Sequence, residues 1–145
     1  MLFRLICVID DDADCLKLIG HYLKKALPKG VPTALFKDPL LAQEWLATNS
    51  PLIMLCDLEM DGRNGFHFLK QLKTREPLTP VILLTGHGNR SALESAVKLG
   101  ADDFIVKPIM PDDLMHSVNF FVQRASRWRS TVEGLAKLQT AKKIQ

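Results

Sequence analysis

Five short apolar runs, each followed by a polar or charged side chain, constrain the fold of this chain more than any other feature. The runs cover residues 3–9, 31–36, 52–56, 80–84 and 104–106. They lack the in/out alternation of a strand with one wet face, so they predict strands that are buried on both faces, as in a parallel sheet. Four segments with apolar residues at helical spacing separate the runs, and a fifth follows them. The pattern predicts an α/β domain in which helices cover both faces of a five-stranded parallel sheet.

Reactive side chains follow four of these runs. Asp10 and Asp11 follow the first run, Asp57 the third, Thr85 the fourth and Lys107 the fifth. In open α/β sheets the ligand site lies at the carboxyl ends of the strands, near the point where the strand order reverses. We therefore expect three carboxylates, a hydroxyl and an ammonium group to meet at one edge of the sheet.

Three neighbouring carboxylates need a source of positive charge. At about 4 Å and an effective dielectric constant of about 20, each pair repels by about 4 kcal/mol. Carboxylate oxygens with room for water suit Mg²⁺, and Lys107 adds a second positive charge. With the Thr85 hydroxyl, these groups would surround the oxygens of a phosphoryl group in transfer. Asp57 stands alone at the end of a buried run, so it is the predicted nucleophile and would form an aspartyl phosphate.

Composition excludes several other classes of protein. Of the 145 residues, 47% are hydrophobic and 24% are charged, as in globular proteins and unlike disordered or collagen-like chains. No apolar run approaches the roughly 20 residues of a membrane span, and the amino-terminal run is not typical of a signal peptide. Three cysteines without CxxC spacing favour free thiols over disulfides or a metal site. We expect a cytoplasmic protein that makes no membrane contact.

The segments around the strand ends resemble the receiver domain of two-component response regulators. The resemblance is carried, in the family's order and spacing, by Val8–Asp12, Leu55–Met60 with Gly65 downstream, Leu83–Gly86 and Gly100–Pro108. The match covers about residues 3–124. It implies a flavodoxin-like, doubly wound (βα)5 fold with strand order 2-1-3-4-5, and a receiver domain over residues 1–124.

The resemblance also implies a function. Asp57 would accept a phosphoryl group from a phosphohistidine on a sensor histidine kinase or a histidine phosphotransfer protein. Thr85 and Lys107 would contact the phosphoryl oxygens. Thr85 and Phe104 would form a switch that changes the helix 4, strand 5 and helix 5 face presented to a downstream output domain or protein. The bond between Lys107 and Pro108 is expected to be cis.

The resemblance further implies that Mg²⁺ binds beside the acceptor. Carried over by position, Asp11, Asp57 and the backbone carbonyl of Glu59 would bind the ion, and Asp10 would assist through water. Glu59 and His87 lie two residues after the acceptor and the threonine, beside the expected path of a hydrolytic water. We expect this pair to set the lifetime of the phosphorylated state. The chain would be a self-phosphorylating acceptor that also loses its phosphoryl group by itself, not a turnover enzyme.

Three positions depart from the family pattern. Asp61 stands where the family usually has proline. The aspartate adds a carboxylate and loosens the loop after the acceptor. Gly86 replaces a common alanine, and Ile109 stands where an aromatic residue often follows Lys-Pro. None of these changes removes a chemical group from the site, so we expect the chain to be competent for phosphorylation.

Two other functions of proteins with related folds or chemistry would require different residues at these positions. A flavin-binding flavodoxin needs a phosphate-binding loop after the first strand, where Asp10, Asp11 and Asp12 would repel a phosphate. A haloacid-dehalogenase-type phosphatase needs a second aspartate two residues after the nucleophile, where this chain has Glu59. A degenerate receiver, which binds a protein partner without being phosphorylated, stays open as the alternative.

The carboxyl-terminal segment differs in charge from the rest of the chain. Residues 124–145 carry six basic side chains and one acidic one, whereas residues 1–123 carry 13 basic and 15 acidic. Apolar residues at alternating three- and four-residue spacing continue from Val118 to Leu135 and predict a helix that extends past the receiver. We expect residues 125–145 to be a basic helical extension that pairs with a second copy as a coiled-coil linker to an output domain. A tail folded onto its own domain is the alternative, and no motif predicts direct contact with nucleic acid.

Overall fold

The computed structural model describes residues 5–28 and 31–144, in which strands and helices alternate along the chain. The strands are β1 (Ile6–Ile9), β2 (Thr33–Phe36), β3 (Ile53–Asp57), β4 (Glu59–Met60), β5 (Arg63–Asn64), β6 (Val81–Thr85) and β7 (Asp103–Val106). The helices are α1 (Ala13–Ala26), α2 (Pro39–Leu46), α3 (Gly65–Arg75), α4 (Arg90–Lys98) and α5 (Pro111–Ile144). Residues 3 and 4, where the first run begins, lie outside the described residues.

Five of the strands form one parallel sheet in the order β2-β1-β3-β6-β7. When the two short strands β4 and β5 are left out of the count, this is the predicted order 2-1-3-4-5, and the flavodoxin-like fold is confirmed. The strand order reverses between β1 and β3. The carboxyl ends of these two strands therefore flank the crevice where ligands bind in such sheets.

Two apolar layers hold the helices against the sheet. On one face, residues of the central strands pack against α1 and α5, and on the other face the intervening residues pack against α2, α3 and α4. All four residues of β1 have no exposed surface. Burial on both faces explains why the runs of the central strands show no in/out alternation. The prediction is wrong for β2, in which Thr33 and Leu35 are exposed, because this strand lies at the edge of the sheet.

Side chains fix the start of four helices. The caps of α1, α2, α3 and α4 accept hydrogen bonds from first-turn amides, and they are Asp12, Asp38, Asn64 and Asn89. Asp12 is thus engaged in capping, next to the two aspartates of the predicted site. None of the helices within the described ranges is both long and apolar enough to span a bilayer.

The loop after Asp57, which the sequence predicts to be loosened by Asp61, contains two short strands. β4 and β5 form an antiparallel hairpin, with Glu59 opposite Asn64. Gly62 lies in its turn with a φ of 75°. Gly65 is the first residue of α3.

The last helix extends past the sheet, as predicted. α5 is continuous through Gly134. Val118 and Ala125 on the apolar seam are buried against the domain, whereas Val132 and Leu135 on the same seam are 50% and 55% exposed. The second half of the seam is therefore open to solvent.

Candidate functional site

Three aspartates converge where the strand order reverses. Asp10 and Asp11 directly follow β1, and Asp57 is the last residue of the neighbouring β3. One carboxylate oxygen from each of the three residues lies within 4.8 Å of the other two. Asp10 is fully buried and Asp57 is nearly so, whereas Asp11 is partly exposed. The structure thus brings together the three carboxylates that the sequence places at strand ends.

Lys107 reaches the same cluster from the end of β7. Its Nζ lies 3.0 Å from Oδ2 of Asp10 and 3.4 Å from Oδ1 of Asp57. Burial disfavours the charged ammonium, but the hydrogen bond and charge of Asp10, with the charge of Asp57, outweigh it and raise the pKa of Lys107. The lysine is followed by a cis bond to Pro108, as expected, and its amide donates to the Thr85 carbonyl at 2.7 Å.

The surroundings of Asp57, the predicted acceptor, change the pKa of its carboxyl group. Burial and the nearby charge of Asp10 raise the pKa of Asp57 to about 6, although Lys107 and the backbone amide of Glu59 act in the opposite direction. A bound divalent cation would offset this repulsion. The donor set fits Mg²⁺, because hard carboxylate oxygens converge and Asp11 is open to the water that completes the shell of this ion.

Thr85, Glu59 and His87 form a second polar group. The hydroxyl of Thr85, a buried residue, donates to Oε1 of Glu59 at 3.3 Å, and the His87 amide donates to Oγ1 of Thr85 at 3.1 Å. Nδ1 of His87 lies 2.8 Å from Oε2 of Glu59, and this contact lowers the pKa of Glu59. The two residues predicted to flank the site are therefore in direct contact with each other and with the threonine.

Phe104 lies in the apolar layer, not among the charged side chains. It is partly buried and packs against the cluster shared by α2, α3 and α4. In the pairing of β6 with β7, Phe104 is opposite Leu83, and Val106 is opposite Thr85. The two residues of the predicted switch are thus on adjacent strands.

Two contacts of the segment after Asp57 are not evident from the sequence. A Cβ on Gly65 would lie 2.5 Å from the carbonyl oxygen of Asp57, so the start of α3 is packed against the acceptor's backbone. The amide of Asp61 donates to Oδ2 of Asp11 at 2.9 Å. The departure from proline at position 61 is the signal that points to the second contact, because proline has no amide hydrogen to donate.

Comparison with known proteins gives one consistent family. The family model of the response regulator receiver domain matches residues 6–119 of the chain. The DNA-binding transcriptional regulator NtrC of Escherichia coli K12 is 36% identical over 110 residues, which are 75% of this chain and 23% of NtrC. The transcriptional regulatory protein FixJ of Bradyrhizobium diazoefficiens is 32% identical over 120 residues, which are 83% of this chain and 57% of FixJ.

Solved structures agree with the sequence comparisons. A response regulator receiver domain protein from Clostridium thermocellum is 27% identical and superposes with a TM-score of 0.75, covering 86% of this chain and 98% of that one. The chain spans less than two thirds of the length of NtrC and of FixJ, and the shared part is the receiver segment. From its sequence, its fold and the side chains at its strand ends, the chain belongs to the receiver domain family of two-component response regulators.

Proposed function

We propose that this chain is a cytoplasmic phosphoacceptor that takes a phosphoryl group from a phosphohistidine onto Asp57. The donor would be a sensor histidine kinase or a histidine phosphotransfer protein. One observation carries the proposal: the Asp57 carboxylate lies at a strand end beside two further carboxylates and the Lys107 ammonium. This combination suits an acyl phosphate and has no evident use in a purely structural sheet edge.

Transfer would move one phosphoryl group between two side chains. A carboxylate oxygen of Asp57 attacks phosphorus while the phosphorus–nitrogen bond of the donor breaks, and the imidazole nitrogen keeps the bonding electron pair. Attack requires an ionised carboxylate. A pKa raised to about 6 leaves Asp57 mostly ionised at neutral pH.

The chain's own groups would stabilise the charge on the phosphoryl oxygens. Lys107 is held beside Asp57 by Asp10, and its raised pKa keeps it protonated. Thr85 would exchange its hydrogen bond to Glu59 for one to a phosphoryl oxygen. Because β6 pairs with β7, a shift of Thr85 would also move Phe104. The face formed by α4, β7 and α5 would then change.

The predicted Mg²⁺ would be held by Asp11, Asp57 and the backbone carbonyl of Glu59, with Asp10 acting through water. When bound, the ion supplies positive charge for phosphoryl transfer. We expect a single transfer to each chain, followed by loss of the phosphoryl group to water, so the chain would not act as a turnover enzyme.

Labelling with acetyl phosphate tests the proposal without a cognate kinase. We expect stoichiometric labelling of the full chain in Mg²⁺, none in excess EDTA and none in Asp57→Asn. Asp12→Asn is a matched control, because an asparagine still caps α1, and it should be labelled like the wild type. A wild type that stays unlabelled in Mg²⁺ would favour the degenerate receiver, which binds its partner without phosphorylation.

The Glu59–His87 pair is proposed to set the lifetime of the phosphorylated state. Glu59→Ala removes the carboxylate that accepts from the Thr85 hydroxyl, and His87→Ala removes the imidazole that contacts that carboxylate. Both substitutions leave every backbone carbonyl in place. We expect each substitution to change the rate of phosphate loss, measured after removal of acetyl phosphate. Glu94→Ala, at an exposed site on α4, should not change it. Unchanged rates in both site variants would show that the pair has no such role.

We also infer that two copies pair through the extension of α5. Val132, Leu135 and Leu138 are 50–60% exposed, and a projecting helix without a partner gains little stability. Light scattering with and without beryllofluoride should detect a dimer that Leu135→Glu abolishes and Lys137→Glu, on the opposite face, does not. A wild type that is monomeric in both states would contradict the inference.

NtrC and FixJ support an output beyond the receiver. Both are named as transcriptional regulators, and both are longer than the segment matched by this chain. We propose that the phosphorylated receiver controls an output domain or protein through its changed surface.

A further inference from the structure

The turn of the hairpin after the acceptor contacts the carboxylate cluster through its backbone. The Asp61 amide donates a 2.9 Å hydrogen bond to Oδ2 of Asp11, 50 residues away in the chain. We propose that this amide is a positioning group for the Mg²⁺ site: it fixes the Asp11 carboxylate so that the other oxygen is free for the cation. The inference rests on the magnesium-dependent function proposed above.

Asp11 is the least constrained of the three clustered aspartates. Asp10 is buried and held by Lys107 at 3.0 Å, and Asp57 lies 3.4 Å from the same ammonium. Asp11 is partly exposed, and in the described part of the chain its carboxylate has one hydrogen-bond donor, the Asp61 amide. Without that donor, the side chain would have to be ordered when the cation binds.

The hairpin holds the donor at a fixed place. The Leu58 amide donates to the carbonyl of Leu84 in the sheet at 2.7 Å, and the Gly65 amide donates to the carbonyl of Leu58 at 2.8 Å. Leu58 and Met60 are both buried. The two ends of the hairpin are therefore tied to the core, and the Asp61 amide in its turn is carried with them.

A backbone amide suits this role better than a charged side chain. A hydrogen bond to an ionised carboxylate is stronger than one between neutral groups. The amide nevertheless carries no net charge, so the carboxylate keeps the negative charge that attracts a cation. Groups that orient metal ligands in this way change metal affinity by about 10–100-fold when they are removed.

The turn geometry allows a proline substitution to remove the Asp61 amide hydrogen without changing the conformation of the loop. Asp61 has a negative φ, and Gly62 has a φ of 75°, which is the pattern of a type II turn. Proline is favoured at the first central position of such a turn, and the receiver family usually has proline there. Because proline lacks the amide hydrogen, receivers with proline do not have this contact.

Calorimetric titration of the full chain with Mg²⁺ tests the role of the amide. Asp61→Ala and Asp61→Pro both lack the carboxylate at position 61, and only the proline variant also lacks the amide hydrogen. We expect Asp61→Pro to bind Mg²⁺ about tenfold more weakly than Asp61→Ala at the same melting temperature. Equal affinities, or tighter binding by the proline variant, would overturn the proposal.

Hydrogen exchange of the Asp61 amide in the wild type gives a second test that needs no variant. The amide should be protected both without Mg²⁺ and at saturating Mg²⁺. Loss of protection when Mg²⁺ binds would overturn the proposal, because it would mean that the cation displaces the contact. A wild type that binds no Mg²⁺ would instead contradict the proposed function, so the two failures are distinguishable.

Discussion

The Asp57 carboxyl lies beside Asp10, Asp11 and Lys107, and burial together with the charge of Asp10 raises its pKa from 3.8 to about 6. A raised carboxyl pKa destabilises the folded state wherever the unfolded chain has already lost its proton. The cost therefore grows as the pH rises from about 4 to about 6, and it is complete above that range.

Replacing the acceptor should stabilise the metal-free protein at neutral pH. In EDTA, we expect Asp57→Asn to raise the free energy of unfolding by up to about 3 kcal/mol at pH 7 and by almost nothing at pH 4. Urea unfolding at the two pH values measures the difference. An equal gain in the free energy of unfolding at pH 7 and at pH 4 would mean that the ionisation of Asp57 does not cause the stabilisation.

Gly65 places a steric limit on the acceptor strand. A Cβ at this position would lie 2.5 Å from the carbonyl oxygen of Asp57 and 2.8 Å from Cα of Leu58, and neither backbone atom is free to move aside. Gly65→Ala should lower the free energy of unfolding by about 1–3 kcal/mol and slow labelling by acetyl phosphate. Gly86→Ala, where a Cβ would meet nothing within 4 Å, should change stability by less than about 1 kcal/mol. Equal losses in the two variants would contradict the packing argument.

Among the secondary-structure elements, α5 is tied to the sheet by a charged junction. Asp102 accepts hydrogen bonds from Arg124 of α5, from Lys73 of α3 at 2.8 Å and from the Val81 amide at 2.8 Å. The Arg124 guanidinium lies 4.4 Å from the ring centroid of Trp128 on the next turn of the helix. Asp102 therefore links two helices to the start of β6.

Breaking this junction should cost more than breaking an exposed ion pair. Asp102→Ala removes the carboxylate that pairs with two mostly buried cations, and we expect a loss of about 3 kcal/mol in the free energy of unfolding. Glu94→Ala breaks the exposed pair with Arg90 and should cost less than about 0.5 kcal/mol. Chemical denaturation of both variants provides the comparison, and similar losses would argue against a structural role for Asp102.

Elements with a long apolar pattern and the meeting of the strand ends could be predicted from the sequence, whereas the contacts of the segment after Asp57 could not. The buried run of β1 and the seam of α5 follow from the spacing of apolar residues, because packing against the core imposes that spacing. β4 and β5 have two residues each, which is too short to show a period. The bonds from Asp61 to Asp11 and from Thr85 to Glu59 join residues 50 and 26 positions apart. Such contacts depend on the geometry of the loops, which the local sequence pattern does not define.

Across the whole molecule, charge divides the receiver from its extension. Residues 1–123 have a small excess of acidic groups, and residues 124–145 have six basic side chains and one acidic one. Paired extensions would therefore repel each other, and salt would screen this repulsion because the Debye length falls from about 10 Å at 0.1 M to about 3 Å at 1 M. We expect the dimer to become tighter with added sodium chloride in sedimentation experiments. A dimer that weakens with salt would indicate that ion pairs, not the apolar seam, hold it together.

The central claim is that Asp57 carries the phosphoryl group, and chemical reduction of the phosphorylated chain tests it most directly. Borohydride converts an aspartyl phosphate to homoserine, which peptide mass spectrometry can locate in the sequence. After treatment with acetyl phosphate and Mg²⁺, we predict homoserine at position 57 and at no other aspartate, and no conversion when EDTA is present. Conversion at Asp10 or Asp11, or a chain without any homoserine, would contradict the account.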